Sequence, residues 1–364
     1  MSVRITLWLA LLLVVAYLAL WPVPIEPLPW SPPKDNGYIG AFSPNRALAK
    51  SVALPLPQSE GPEDLALGPD GALYLSLLDG SILRLDEQGH WQTIANTQGR
   101  PLGIEFAPDG TLYIADAHRG LMALPPGGTA TVVLDRVAGL PLRYADDLDI
   151  APDGVVYLSD ASTRFSAKEY GTFEASLLDL MEHRPSGRLI RFDPASGEAS
   201  ELMTGLSFAN GVAVSHDGQS VLVAETGHYR IWRYPLTGES RGQPELLVEN
   251  LPGFPDNLSR GPHGSYWVGL VAPRNAVLDA LAGAPALRRV VQRLPEVLRP
   301  NAVRYSHLVG FDDQGQIRYN LQDPAGGYAF ITGAQRVGER LYLSSLHEPS
   351  LAYLPWPYGD SDTH

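Results

Sequence analysis

The chain has 364 residues, 45% of them hydrophobic, which is ample for a sizeable core; helical periodicity is scarce, and 36 glycines and 32 prolines cut the apolar runs short, as in an all-β protein rich in turns. A formal net charge of −13 argues against a nucleic-acid partner, which needs clustered Lys and Arg, and the absence of cysteine excludes a disulfide framework. The same acidity suits an oxygen-rich cation site, although a solvated surface also produces it.

Ile5 to Trp21 carry no charge; Arg4 precedes them and no cation follows until Lys34. Seventeen residues at about 1.5 Å each span roughly 26 Å, close to a ~30 Å hydrocarbon core. Trp8, Tyr17 and Trp21 suit a membrane interface. A cleaved signal peptide would need a small-residue site after the apolar run, and no clean one follows. Residues 1–21 therefore read as an uncleaved signal anchor. Arg4 puts the N-terminus in the cytoplasm and the rest of the chain on the other side, the periplasm in a bacterium. Residues 22–46, with Pro22, Pro24, Pro27, Pro29, Pro32 and Pro33, read as a stiff extended stalk, and residues 359–364 as a tail.

From residue 47 to 358 the chain repeats itself. Turn glycines fall at Gly71, Gly110, Gly154, Gly218 and Gly264, with a weaker sixth turn at Gly338-Glu339. A short β run follows each, such as "TLYIAD", "VVYLSD" or "RLYLSS". The closest spacings, 39, 44 and 46 residues, fit one four-stranded propeller blade. Six units predict a six-bladed β-propeller. The sixth ends with only three strands, and residues 47–56, "ALAKSVALPL", are placed to supply its missing outer strand and close the ring.

Eight residues before the turn glycines stand Glu63, Leu102, Asp146, Asn210 and Asp256. Equivalent positions of innermost strands face one central axis, so four short oxygen-bearing side chains converge. Asp64, Asp147 and Asn257 come one residue later. Crowded carboxylates repel in a narrow channel, and a cation relieves that cost. Carboxylates mixed with amides, without His or Cys, favour calcium over zinc or copper, with magnesium or manganese as the other hard cations. A solvated polar funnel is the bland alternative. Asn257-Leu258-Ser259 is also a formal glycosylation sequon, but a channel-facing Asn257 has no room for a glycan.

Two blades are stretched. Residues 163–186 include the helix-like "FEASLLDLMEH", and residues 273–302 include "AVLDALAGAPALRRVVQRLPEVL", with apolar residues at helical spacing. Both follow a blade's second strand, so both fall on the face where the first strands start. They are expected over the oxygen ring as lids or pocket walls, with apolar faces that could also meet a membrane.

The stretches "GPEDLALGPDG", "ADDLDIAPDGVVYLSDASTRF", "LLDLMEHRPSGRLIRFD", "FANGVAVSHDGQSVLVAET", "LPGFPDNL", "YWVGL" and "LQDPAG", in that order, run from Gly61 to about Ala325. In them the chain resembles the strictosidine synthase-like, paraoxonase and gluconolactonase group of six-bladed propellers, and within it the branch of adipocyte plasma membrane-associated proteins and their bacterial relatives. The resemblance implies a channel calcium, with Glu63, Asn210, Asp256 and Asn257 at metal-binding positions and Asp146 where paraoxonases have an Asn. It implies a second, structural metal at Asp64 and Asp147. It also implies that the metal polarises an ester or lactone carbonyl while a carboxylate, Asp256, activates water or attacks. Two departures limit it. Leu102 stands where paraoxonases place a His, so their His-based relay is absent. The late segment "GGYAFITGAQRVG" lacks the acid that plant strictosidine synthases use, which sets a condensing enzyme back. His118, His183, His307 and His347 lie near blade ends or insertions, and none is given a role.

The leading expectation is thus a membrane-anchored, calcium-dependent hydrolase of small-molecule lactones or aryl esters. A non-catalytic, calcium-stabilised binding or scaffold propeller is the alternative, since the fold serves both purposes.

Overall fold

An Asp-Gly pair between two short apolar runs makes a hairpin because the glycine takes a positive φ at no steric cost. Gly71, Gly110, Gly154 and Gly218 do so after an Asp, and Gly264 after His263, with φ between 69° and 85°. The computed structural model describes residues 3–356; the expected tail at 359–364 lies outside the described residues.

Six four-stranded antiparallel sheets follow in chain order. From innermost to outermost strand, blade one runs from Leu65–Leu67 to Trp91–Asn96, blade two from Pro101–Phe106 to Thr131–Leu134, and blade three from Ala145–Ile150 to Glu198–Leu206. Blade four runs from Ala209–Val214 to Glu245–Val248, and blade five from Gly253–Arg260 to Ile317–Asp323. Blade six has Ile331–Val337, Arg340–Ser345 and Ser350–Pro355, and its outer strand is Val52–Pro55 from the other end of the chain. Val52 pairs with Tyr353 and Pro55 with Ser350. The ring closes as the sequence predicts, and the outer edge of Ser350–Pro355 is paired rather than left open.

Apolar faces of adjacent blades pack on one another. Leu65, Leu73 and Leu83 of blade one meet Tyr342 and Leu351 of blade six, while Ala66 and Ile82 on its other face meet Ile104 and Ile114 of blade two. The core is therefore a ring of interblade layers, and the axis is left for polar groups.

Helix α1, Val3–Leu20, has 18 residues and none buried, a length of about 27 Å. The two stretched blades carry their helices where expected. Helices α2, Ala167–Tyr170, and α3, Thr172–Glu182, sit between the second and third strands of blade three. Helices α4, Ala276–Ala280, and α5, Pro285–Gln292, occupy the same place in blade five.

One expectation needs correcting. Residues 22–46 are extended, yet they are no free stalk. Ile25 is buried, and Trp30 stacks on His183 with ring centroids 3.9 Å apart. The Leu28 amide donates to Glu182 O (2.9 Å) at the end of α3, and the Trp30 amide to Ala282 O (3.1 Å) beyond α4. The fully buried Arg288 of α5 donates to Met181 O, Leu28 O and Ala282 O. The segment is a strap that ties both insertions together. Prolines keep it extended, as the sequence says, but apolar side chains between them give it a surface to bury.

Candidate functional site

Blades two to six share an irregularity at the start of the inner strand. The pairing register slips between Pro101 and Ile104, Ala145 and Leu148, Ala209 and Val212, Pro255 and Leu258, and Ile331 and Ala334. In a regular strand successive side chains face opposite sides; a bulge lets two neighbours both reach the axis. Asp146 accordingly lines a cavity of about 640 Å³ under the insertions, while Asp147 lines a second one of about 180 Å³ further along the axis.

Glu63, Asp146, Asn210 and Asp256, four of the residues marked by the turn offset, meet on the floor of the large cavity, with Leu102 completing the set. All four are at least 95% buried. The nitrogens of the two amides are used on carboxylates: Asn210 donates to Asp256, and Asn257 Nδ2 donates to Glu63 Oε1 and O at 3.1 Å each. Thr332 Oγ1 fixes Glu63 O from the sixth blade at 2.6 Å. What remains is oxygen. Glu63 Oε2, Asp146 Oδ2, Asn210 Oδ1 and Asn257 Oδ1 are buried without a hydrogen-bond partner. Asn257 stands behind the floor and lines neither cavity; at 2% exposure it has no room for a glycan.

Burial and mutual repulsion raise these acids. Glu63 is pushed up to about 8 by burial and by Asp256, against the pull of Arg100 and the Asn257 hydrogen bond. Asp146 is driven well above the carboxylate range by burial, Asp256 and Glu63. Asp256 is raised to about 7 by burial, against hydrogen bonds from Asn210 and the Asn257 amide. Buried oxygens that lack donors and carboxylates that resist ionising are the chemistry a hard cation satisfies. Among the described residues, no three Asp, Glu or His side chains are gathered closely enough to cage a metal alone.

Sequence reasoning missed Arg100. It stands two residues before Leu102, is 4% exposed, lines the same floor, and has a buried Nε without a partner. Burial pulls its pKa down while Glu63 and Asp146 help keep it charged. The eight-residue offset could not find it, because it lies outside that register.

Alternation around the axis is the second missed feature. One residue after the floor positions stand Asp64, Gly103, Asp147, Gly211 and Asn257. A Cβ on Gly103 would come within 2.5 Å of Asp147 Oδ1, and one on Gly211 within 2.3 Å of Asp256 O. Gly103 makes room for the Asp147 carboxylate, and Gly211 for the backbone of the next inner strand.

In the small cavity, Asp64 and Asp147 are joined by Glu105 and Asp149, which the sequence reading did not include. Burial and Glu63 lift Asp64 to about 8; burial and Asp64 drive Asp147 well upward. Asp64, Asp147 and Asp149 are tied to a neighbouring blade by backbone amides. Asp64 Oδ2 accepts from Ile104 (2.8 Å), and Asp147 Oδ2 from Val212 (2.7 Å) and Leu258 (3.3 Å). These three acids staple the blades together.

The walls of the large cavity come from the insertions. Phe173 and Leu177 of α3, Leu278 of α4 and Val291 of α5 are apolar, and Phe330 and Leu346 complete the rim. Of the four histidines considered, His347 alone lines the cavity, between Phe173 and Phe330 at 5.2 and 5.4 Å. Burial lowers its pKa, so it is neutral at neutral pH. His183 lies beneath Trp30 with its Nε2 3.3 Å from His228 Nε2, and His307 bonds Asn320 at 2.9 Å.

The fold and its axial floor define the class: a six-bladed propeller with a polar, oxygen-lined centre capped by two helical insertions. The chain belongs to the strictosidine synthase-like family. The sequence signature of strictosidine synthase matches residues 146–239, and that of the strictosidine synthase-like N-terminal region matches residues 40–85. The adipocyte plasma membrane-associated protein of Homo sapiens is 34% identical over 356 residues, covering 91% of this chain and 84% of that one. Among solved structures, a gluconolactonase from Xanthomonas campestris superposes with a TM-score of 0.60 at 17% identity, over 84% of this chain and 90% of that one. Regucalcin, a calcium-binding protein from Agrobacterium tumefaciens, gives 0.57 at 14% identity, over 83% and 90%. At such identities these two speak for the fold.

Proposed function

We propose that the protein is a membrane-anchored hydrolase of lactones or aryl esters that works with one calcium ion on the channel floor, its propeller on the non-cytoplasmic side of the membrane. The observation that carries this reading is the group of partnerless buried oxygens on Glu63, Asp146 and Asn210 at the base of an apolar cavity, with a fourth, on Asn257, behind that floor. The charges agree. Three ionised floor carboxylates and Arg100 leave two negative charges, which one divalent ion neutralises. A neutral, apolar cavity then suits a neutral ester or lactone. The gluconolactonase neighbour supports the substrate class, regucalcin the calcium, and the human relative's name the membrane association.

Glu63, Asp146, Asn210, Asp256 and Asn257 would hold the ion; what calcium supplies there is polarisation of the scissile carbonyl. Asp256, oriented by the Asn210 amide, is the carboxylate assigned to take a proton from the attacking water or to attack the carbonyl itself. The apolar walls exclude bulk water and orient the acyl and leaving groups.

The direct test is a panel of γ- and δ-lactones and phenyl esters. Turnover should appear with calcium, vanish with EGTA and return when calcium is restored. No turnover by the calcium-loaded protein on any of them would move the assignment to the binding propeller.

A stability measurement tests the site separately. Metal-free Glu63 and Asp64 titrate near 8 and Asp256 near 7, against about 4 when unfolded. Raised carboxylate pKa values contribute stability that is full below about pH 4 and is lost as pH rises through 7 to 8. In EGTA the melting temperature should therefore fall from pH 6 to 8.5, and calcium should reduce the fall by the share of Glu63 and Asp256, leaving that of Asp64 in the small cavity. Identical slopes with and without calcium would remove the ion from this floor.

A further inference from the structure

Residues 285–304 contain five arginines, Arg288, Arg289, Arg293, Arg299 and Arg304, against one acid, Glu296, in a chain of net charge −13. The same segment carries the most exposed apolar side chains of the lid. Val297 is 87% exposed, Leu298 63%, Val303 61% and Leu287 52%. Val303 lines the large cavity, and Val297 and Leu298 fall in the chain between its lining residues Glu296 and Arg299. Phe173 of α3 borders the same cavity, and Arg299 Nη1 reaches across to Glu174 Oε1 at 3.7 Å. Arg288 is buried, and Arg293 is engaged with the end of α1, so the guanidinium groups at the surface are those of Arg289, Arg299 and Arg304. Apolar tips beside these arginines are poorly placed in water and well placed at a headgroup layer, where the tips enter the acyl boundary and the guanidinium groups meet phosphate.

The junction with α1 decides which surface this is. Arg293, the residue after α5, donates through Nε to Trp21 O (2.5 Å) and through Nη1 to Leu18 O (2.9 Å), and Tyr17 Oη donates to Arg293 O (3.0 Å). The C-terminal end of the apolar helix is thus held by the lid segment itself. A bilayer that takes up α1 comes directly against residues 287–303.

We infer that the face formed by Leu287, Val297, Leu298 and Val303 docks on the anionic phospholipid surface beside α1, so that the large cavity opens toward the lipid. This rests on α1 being a membrane anchor, but not on any hydrolysis. An N-terminal helix alone would tether the propeller loosely; the Arg293 clasp and the docked lid fix its orientation.

The absence of cysteine makes the test clean. Single variants Val297→Cys, Leu298→Cys, Leu12→Cys in α1 and Asp153→Cys in a turn of the opposite face are made in the full-length chain. Each is labelled with bimane and reconstituted in vesicles of phosphatidylcholine and phosphatidylglycerol that carry nitroxide lipids. Docking requires quenching at positions 297 and 298, at least about threefold above that at 153, together with quenching at 12. Quenching at 12 with positions 297 and 298 no different from 153 overturns the docking surface while sparing the anchor. No quenching at 12 overturns the anchor and the docking with it.

Discussion

Asp256→Asn is expected to leave a folded, calcium-loaded propeller that hydrolyses its substrate at least about 10³-fold more slowly, the scale of a lost general base or nucleophile. Asparagine keeps the size and one oxygen acceptor, so the hydrogen bond from Asn210 survives and the floor keeps its shape. It removes the basicity and one negative charge. The remaining acids, Glu63 and Asp146, still face Arg100, and the orphaned oxygens of Glu63, Asp146, Asn210 and Asn257 are untouched. Calcium affinity should weaken by about tenfold, which saturating calcium restores; activity should not return with it. If activity and calcium occupancy fall and recover together, Asp256 is a ligand only. Undiminished hydrolysis in a calcium-saturated variant rules out the assigned role.

Removing residues 1–58 should abolish the folded propeller, whereas removing residues 1–21 should leave it intact. Val52–Pro55 is the outer strand of blade six, and with it go Leu54 and Leu56, which pack against Leu65, Tyr342 and Leu351. Leu48, 1% exposed against Trp267 and Leu308, and Ile25, also 1% exposed, are lost as well. Each such side chain contributes about 1.5–3 kcal/mol by burial, against a net stability of about 5–15 kcal/mol for a typical domain. The truncation also opens an unpaired strand edge, so aggregation is expected. Removal of residues 1–40 gives an intermediate result: the ring stays closed, but the strap around Ile25 and Trp30 is gone and the lids loosen, lowering the melting temperature by several degrees. Equal melting of the 1–21 and 1–58 truncations would refute the closure. These outcomes are read by circular dichroism and size-exclusion chromatography.

The repeat was legible because its signals are local. An Asp-Gly turn fixes a hairpin within four residues, and strand alternation fixes which residue faces inward, so counting back eight positions reached Glu63, Asp146, Asn210 and Asp256 without knowledge of the other blades. Apolar spacing within 163–186 and 273–302 likewise announced the lid helices, and the direction of the preceding strand announced their face.

Other features had no local signature. Arg100 reads as an ordinary loop residue, and only the approach of blades one and three shows it beside Glu63 and Asp146. The sequence gives Asp146 and Asp147 separate roles, but only the bulge between Ala145 and Leu148 explains how adjacent residues reach separate cavities. The prolines of residues 22–46 state that the segment is extended, but not that Leu28 and Trp30 find partners at Glu182 and Ala282, more than 150 residues away. Turn chemistry and side-chain periodicity act over a few residues and are written into the sequence, which therefore determined the blades and their shared axis. Strap, clasp and charge balance depend on segments that meet only when the ring closes, and for these the tertiary structure was decisive.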